Sequence, residues 1–117
     1  MIIIYGIKNC DTMQKALKWL DAKGLKYIFH DYKVSGIDKA TLELWLQHFP
    51  INKLVNIKST TYRELTDKEK ASIADKSKAI ELMIKYNSLI KRPVWDLRNG
   101  EFLLGWDEKG LVKKIHN

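Results

Sequence analysis

The sequence predicts an α/β fold: a mixed four-stranded sheet with helices on its faces and a helical insertion near the middle. Three observations predict it. Ile2-Ile3-Ile4-Tyr5 is an uninterrupted run of β-branched and aromatic residues, the composition of a strand buried on both faces, parallel and central in a sheet. A helical pattern and a second strand-like run, "KYIFH", follow closely and complete a βαβ unit, which closes in the right-handed sense. Near the far end, "PVWDLRNGEFLL" reads as a hairpin around Asn99-Gly100.

Each element has its own signal. Gly6 to Asn9 forms a loop after the first strand. Met13, Ala16, Leu17 and Leu20 recur at helical spacing, and Gly24 supplies a stop. The second strand covers Lys26 to His30. Asp38 is an N-cap candidate, flanked by Ile37 and Leu42 at the spacing of a hydrophobic staple. Leu42, Trp45, Leu46 and Phe49 make the apolar stripe of that helix, and Pro50 is expected to end it. Thr66 and Glu69 form a capping-box pattern opening a short helix. Ala79, Ile80, Met83 and Ile84 mark a further helix ending near Asn87.

In the hairpin, Asn99-Gly100 is expected to be a two-residue turn with positive φ at both positions. Asp107 then caps a last helix with Leu111, Val112 and Ile115 facing inward. The expected organisation is a single domain over 1–117, with the sheet and its flanking helices in 1–37 and 88–117 and the helical insertion at about 38–87. The order β-α-β, helices, β-β, α is that of a thioredoxin-like fold.

Composition narrows the functional classes. A chain of 117 residues suits one core, and 45% apolar residues can fill it. The 30% charged residues argue against disorder and against a membrane span, as does the lack of any apolar run near the ~18–20 residues a spanning helix needs. "MIII" has no cationic n-region of a signal peptide. A single cysteine excludes an intrachain disulfide and fits a reducing compartment, so a cytoplasmic location is expected. Cys10 and the three histidines show no ligand spacing, so no metal is expected. The net charge of +7 favours anions. Its lysines are scattered, however, and read mainly as solvated surface. A monomer with no membrane contact and no direct nucleic-acid binding is expected.

Chemistry concentrates at "YGIKNCDTMQKA". Cys10 falls where the first helix begins, so free helix amides and the macrodipole favour its thiolate. A small buried cysteine filling the core is the ordinary alternative. The junction of a strand with its following helix lies at the carboxyl edge of the sheet, where α/β folds bind ligands, and this favours a reactive thiol. Met13 occupies the second position of a Cys-x-x-Cys pattern, so no internal resolving thiol exists. Lys8 and Asn9 precede the thiol and are candidate anion contacts. Arg92-Pro93, directly before a strand, is a candidate cis bond beside the site. A trans proline stopping the preceding helix is the alternative. Arg92 would supply a fork-shaped donor for an oxyanion or carboxylate. Lys58, with Thr60 and Thr61, offers a cation and hydroxyls in a loop that could equally be plain capping sequence.

Taken together, "YGIKNCDTMQKA", "FHDYKVSGI", "STTYREL", "IKRPV" and "LLGW" resemble, in order over essentially the whole chain, the ArsC/Spx/YffB family, with the first two motifs most similar to the YffB branch. The resemblance implies a thioredoxin-like sheet with a helical insertion, Cys10 as the redox-active residue, and Pro93 as a cis proline facing it. It implies a thiol oxidoreductase with no bound cofactor, using glutathione as co-substrate and glutaredoxin as a possible partner. The family's arsenate reductases hold the oxyanion with three arginines. Arg92 matches one, Lys58 or Asn56 stands at the second, and Leu104-Gly105-Trp106 offers none at the third. Two alternatives follow: a glutaredoxin-coupled arsenate reductase, and a regulator that binds RNA polymerase, as in the Spx branch. Typical members of that branch carry the Cys-x-x-Cys that Met13 breaks.

Overall fold

The computed structural model describes residues 1–116. By internal contacts the chain forms two compact units, Met1–Ser35 together with the chain from Arg92 onward, and Gly36–Lys91.

The first unit is built on a four-stranded sheet of order β2-β1-β3-β4. β1 is Ile2–Gly6, β2 Tyr27–Asp31, β3 Val94–Asp96 and β4 Phe102–Leu104. β1 runs parallel to β2 and antiparallel to β3, which is antiparallel to β4. The mixed sheet with a central first strand is the architecture the sequence predicts. Between β1 and β2 lies α1, Asp11–Ala22. Gly24, at φ +65°, breaks it, and this left-handed conformation is inexpensive only without a Cβ.

Side chains alternate along β1, so Ile2 and Ile4 face α1. They form one core with Met13, Ala16 and Leu20 of that helix, joined by Trp95, Leu97 and Leu111. Met13 is fully buried against Gly6, where any Cβ would collide with its sulfur. Burying one such side chain contributes about 2 kcal/mol.

The hairpin differs from expectation. Its connection is Leu97–Glu101, closed by a hydrogen bond from the Leu97 N–H to the Glu101 carbonyl at 3.1 Å. Positive φ falls at Arg98 (59°) and Gly100 (87°). Side chains stabilise this longer loop. Asp96 accepts from the Arg98 N–H at 2.9 Å, and Asn99 accepts from the Glu101 N–H at 3.0 Å. The last helix, α8, spans Glu108–Ile115 with Asp107 accepting from the Gly110 N–H. Leu111 is buried as expected, but Val112 is exposed, because the narrow inward stripe leaves it on the flank.

The second unit is mostly helical. It contains α3 (Lys39–His48), α4 (Ile51–Leu54), α5 (Thr60–Arg63), α6 (Asp67–Ser72), α7 (Lys76–Lys85) and a 3-10 turn at Asn87–Leu89. Asp38 caps α3 through the Thr41 N–H at 2.8 Å. The capping box of α6 is complete, with Thr66 and Glu69 each accepting the other's backbone N–H. Pro50 does more than end α3: it is the N-cap of α4. On α7, Leu82 is buried and Ile84 exposed, the reverse of the simplest stripe. Hydrogen bonds from the Asn56 N–H to the Leu89 carbonyl and from the Lys91 N–H to the Leu54 carbonyl, both 2.8 Å, tie the chain after α4 to the end of the unit.

Candidate active site

Cys10 is the N-cap of α1, with extended φ and ψ of −147° and 127°. That conformation turns the chain from the β1 edge into the helix. The preceding loop is fixed by its backbone. The Lys8 carbonyl accepts from the Cys10 N–H at 3.0 Å and from Gln14 Nε2 at 2.8 Å. Position and pinning together present the sulfur at the helix start, partly exposed.

The surroundings decide its ionisation. Partial burial pushes the thiol up, yet the net effect is a pKa below its ordinary value. The Met13 N–H favours the thiolate most, followed by the Arg92 side chain and the Thr12 N–H, and the positive charge of Arg92 adds to this. Cys10 makes no capping hydrogen bond of ordinary geometry. The amides therefore act as orphan donors aimed at developing negative charge, as expected at a helix N-terminus.

Arg92 enters through the strand that follows it. The Arg92-Pro93 bond is cis, as expected, and Val94 pairs with Tyr5 on β1. The Pro93 carbonyl accepts from the Gly105 N–H at 2.7 Å, so it is engaged within the sheet. Trp95 Nε1 donates to the Gly105 carbonyl at 2.8 Å, anchoring "LLGW" beside the same strand.

The structure thus brings Cys10, Arg92 and Pro93 together. Lys8 and Asn9 lie exposed in the loop before the thiol, and Lys8 holds that loop through its carbonyl. Lys58 belongs to the other unit, in the loop before α5. Its N–H donates to Asn56 Oδ1 at 3.2 Å, and its carbonyl accepts from Arg63. Sequence reasoning cast Arg92 as an anion anchor and missed its direct effect on the thiol. It also passed over Tyr32, the buried tyrosine at the start of α2 (Tyr32–Ser35). The signal available was an arginine directly before a candidate cis proline, and a tyrosine within "FHDYKV". Among the described residues no group of three or more His, Cys, Asp or Glu could hold a metal, and no helix is long and apolar enough to cross a membrane.

Comparison with known proteins fits this geometry. The model of the ArsC family matches residues 5–113. The chain belongs to the ArsC family. It is 44% identical over 109 residues to an uncharacterised protein of Haemophilus influenzae, covering 93% of this chain and 94% of that one. It is similar to a solved YffB protein, at 42% identity and a TM-score of 0.92, covering 98% of this chain and 99% of the other. An arsenate reductase related protein from Brucella melitensis is 41% identical with a TM-score of 0.74, covering 96% and 92%. The start of the first helix and the residue before the cis proline place Cys10 and Arg92 in the same unit.

Proposed function

We propose that this ArsC-family protein is a single-cysteine thiol oxidoreductase that reacts with glutathione. The observation carrying this reading is the place of Cys10 at the start of α1, where, against burial that raises its pKa, the Met13 amide, Arg92 and the Thr12 amide lower it. The thiolate is the nucleophile of thiol–disulfide exchange.

The chemistry balances without any bound group. The Cys10 thiolate attacks one sulfur of glutathione disulfide, a new Cys10–glutathione disulfide forms, the original S–S bond breaks, and a glutathione thiolate leaves. No second cysteine exists to displace it internally. A second glutathione thiolate, or the thiol of a glutaredoxin, attacks the mixed disulfide and returns Cys10 to the thiolate. Glutathione carries two carboxylates for which Arg92, Lys8 and Asn9, all in the first unit, are the candidate partners, and its sulfur approaches beside Pro93. Such chemistry belongs in a reducing cytoplasm.

A second reading, arsenate reduction, is favoured by the likeness to the Brucella protein and by the presence of Arg92 beside the thiol. It is disfavoured by the donors. A tetrahedral oxyanion needs several fixed ones, and a lysine at position 58 cannot make the bidentate contact of an arginine.

The test is the intact mass of protein treated with glutathione disulfide. One glutathione per chain is expected, absent in Cys10→Ser and persisting until a second thiol is added. A protein that stays unmodified, or is modified equally in Cys10→Ser, contradicts the reading.

A further inference from the structure

Both backbone groups of Cys10 are engaged. Its N–H donates to the Lys8 carbonyl at 3.0 Å, and its carbonyl accepts from the Gln14 N–H at 3.0 Å. The first of these bonds spans residues 8 to 10, the reach of a γ-turn, with Asn9 at its centre. Among the described residues, positive φ outside glycine falls at Arg98 alone, so the turn is of the inverse kind that suits the end of a strand. A three-residue turn closes on one bond. Here a second arrives, because Gln14 Nε2 donates to the same Lys8 carbonyl at 2.8 Å. Gln14 therefore grips the loop twice, residue 10 through its backbone N–H and residue 8 through its side chain.

We propose that Gln14 is a positioning residue for Cys10, its side-chain amide locking the Lys8–Cys10 turn onto the first turn of α1 and so holding the sulfur against the helix amides. A carbonyl oxygen has two lone pairs, and that of Lys8 accepts from the loop and from the helix at once. With the Cys10 N–H spent on that carbonyl, the amides that favour the thiolate are those of Met13 and Thr12, both in the helix to which Gln14 belongs. A slip of the turn relative to the helix would carry the sulfur away from them, and a hydrogen bond weakens steeply as its geometry degrades. Packing gives no reason for a glutamine here. Gln14 is exposed, while its neighbours Met13 and Ala16 fill the core.

The inference rests on Cys10 being the reacting thiol, but its test uses iodoacetamide and needs no glutathione. A wild type that takes up no glutathione would sink the proposed function and leave this result intact. Alkylation of Cys10 is followed against pH by intact mass in the wild type, Gln14→Met and Gln14→Ala. Both variants keep a good helix former and lose the donor. Each should raise the midpoint by about half a unit, leaving about threefold less thiolate at pH below both midpoints. Amide hydrogen exchange separates positioning from a general loosening of the helix. The Cys10 amide should exchange about threefold faster in both variants, a loss typical of one hydrogen bond, while the Ala16 and Leu20 amides stay as in the wild type. An unchanged midpoint in a folded variant overturns the proposal, and so does a Cys10 amide that exchanges as before. Faster exchange throughout α1, or failure of both variants to fold, would make Gln14 a support of the helix and overturn the proposal equally.

Discussion

At the residue scale, the lone thiol depends on two kinds of neighbour. Helix amides are supplied by the backbone and survive side-chain changes. Arg92 is a side chain and can be removed. Arg92→Ala should raise the Cys10 midpoint and slow its modification by glutathione disulfide by roughly 3–10-fold below that midpoint. Arg92→Lys should recover part of the charge effect and little of the directed contact. Both are read from modification rates followed by intact mass, and an unchanged rate in Arg92→Ala would remove Arg92 from the site. The same pKa shift has a stability consequence with a defined sign. Cys10 is lowered in the folded protein, so its ionisation stabilises the fold. That contribution is fully present above the ordinary thiol value of about 8.5 and is lost as pH falls through the lower folded value. Urea midpoints of wild type relative to Cys10→Ser should therefore rise with pH across that window. A constant difference would show that folded and unfolded thiols ionise alike.

At the element scale, the placement of the sulfur rests on how α1 docks. Gly6 lies against Met13 of that helix so closely that a Cβ there would collide with the Met13 sulfur. Gly6→Ala should cost about 1–3 kcal/mol through overpacking. Met13→Ala should cost about 2–5 kcal/mol through loss of a fully buried side chain while keeping the amide that favours the thiolate. In the double variant the penalties should be less than additive, because the new methyl occupies part of the vacated space. Denaturant unfolding of the four proteins decides it, and strict additivity would mean that the two positions do not meet. In the second unit, Thr66→Ala should lower stability by about 1 kcal/mol through loss of the capping box, leaving the Cys10 titration unmoved. A moved titration would tie that helix start to the site. The caps at Asp38, Thr66 and Asp107 were legible in the sequence because each is a local pattern of a few residues. The Gly6–Met13 contact was not, because it joins a strand to a helix face in space. The hairpin loop was misread for a related reason. Asn99-Gly100 favours a tight turn locally, but the Asp96 and Asn99 side chains satisfy backbone donors of a longer one.

At the scale of the molecule, the sheet, its parallel first pair and the ArsC family were legible because strand composition and motif order survive without knowledge of packing. Cys10 and Arg92-Pro93 were legible as elements of those motifs. The effect of Arg92 on the thiol was not, since the two lie far apart in sequence. The site's sparse arginines predict the substrate preference. With glutathione and glutaredoxin supplied, arsenate reduction should be weak or undetectable, while glutathione should still form an adduct on Cys10. Robust arsenate turnover that Arg92→Ala abolishes would show that fewer arginines suffice. All of this depends on one property, a thiol ionised more easily than a free cysteine because a helix start and an arginine converge on it. The direct measurement is the pH dependence of thiolate absorbance, or of iodoacetamide alkylation, at Cys10 in the wild-type protein. The account predicts a midpoint below the free value of about 8.5, and a midpoint at or above it would contradict the account.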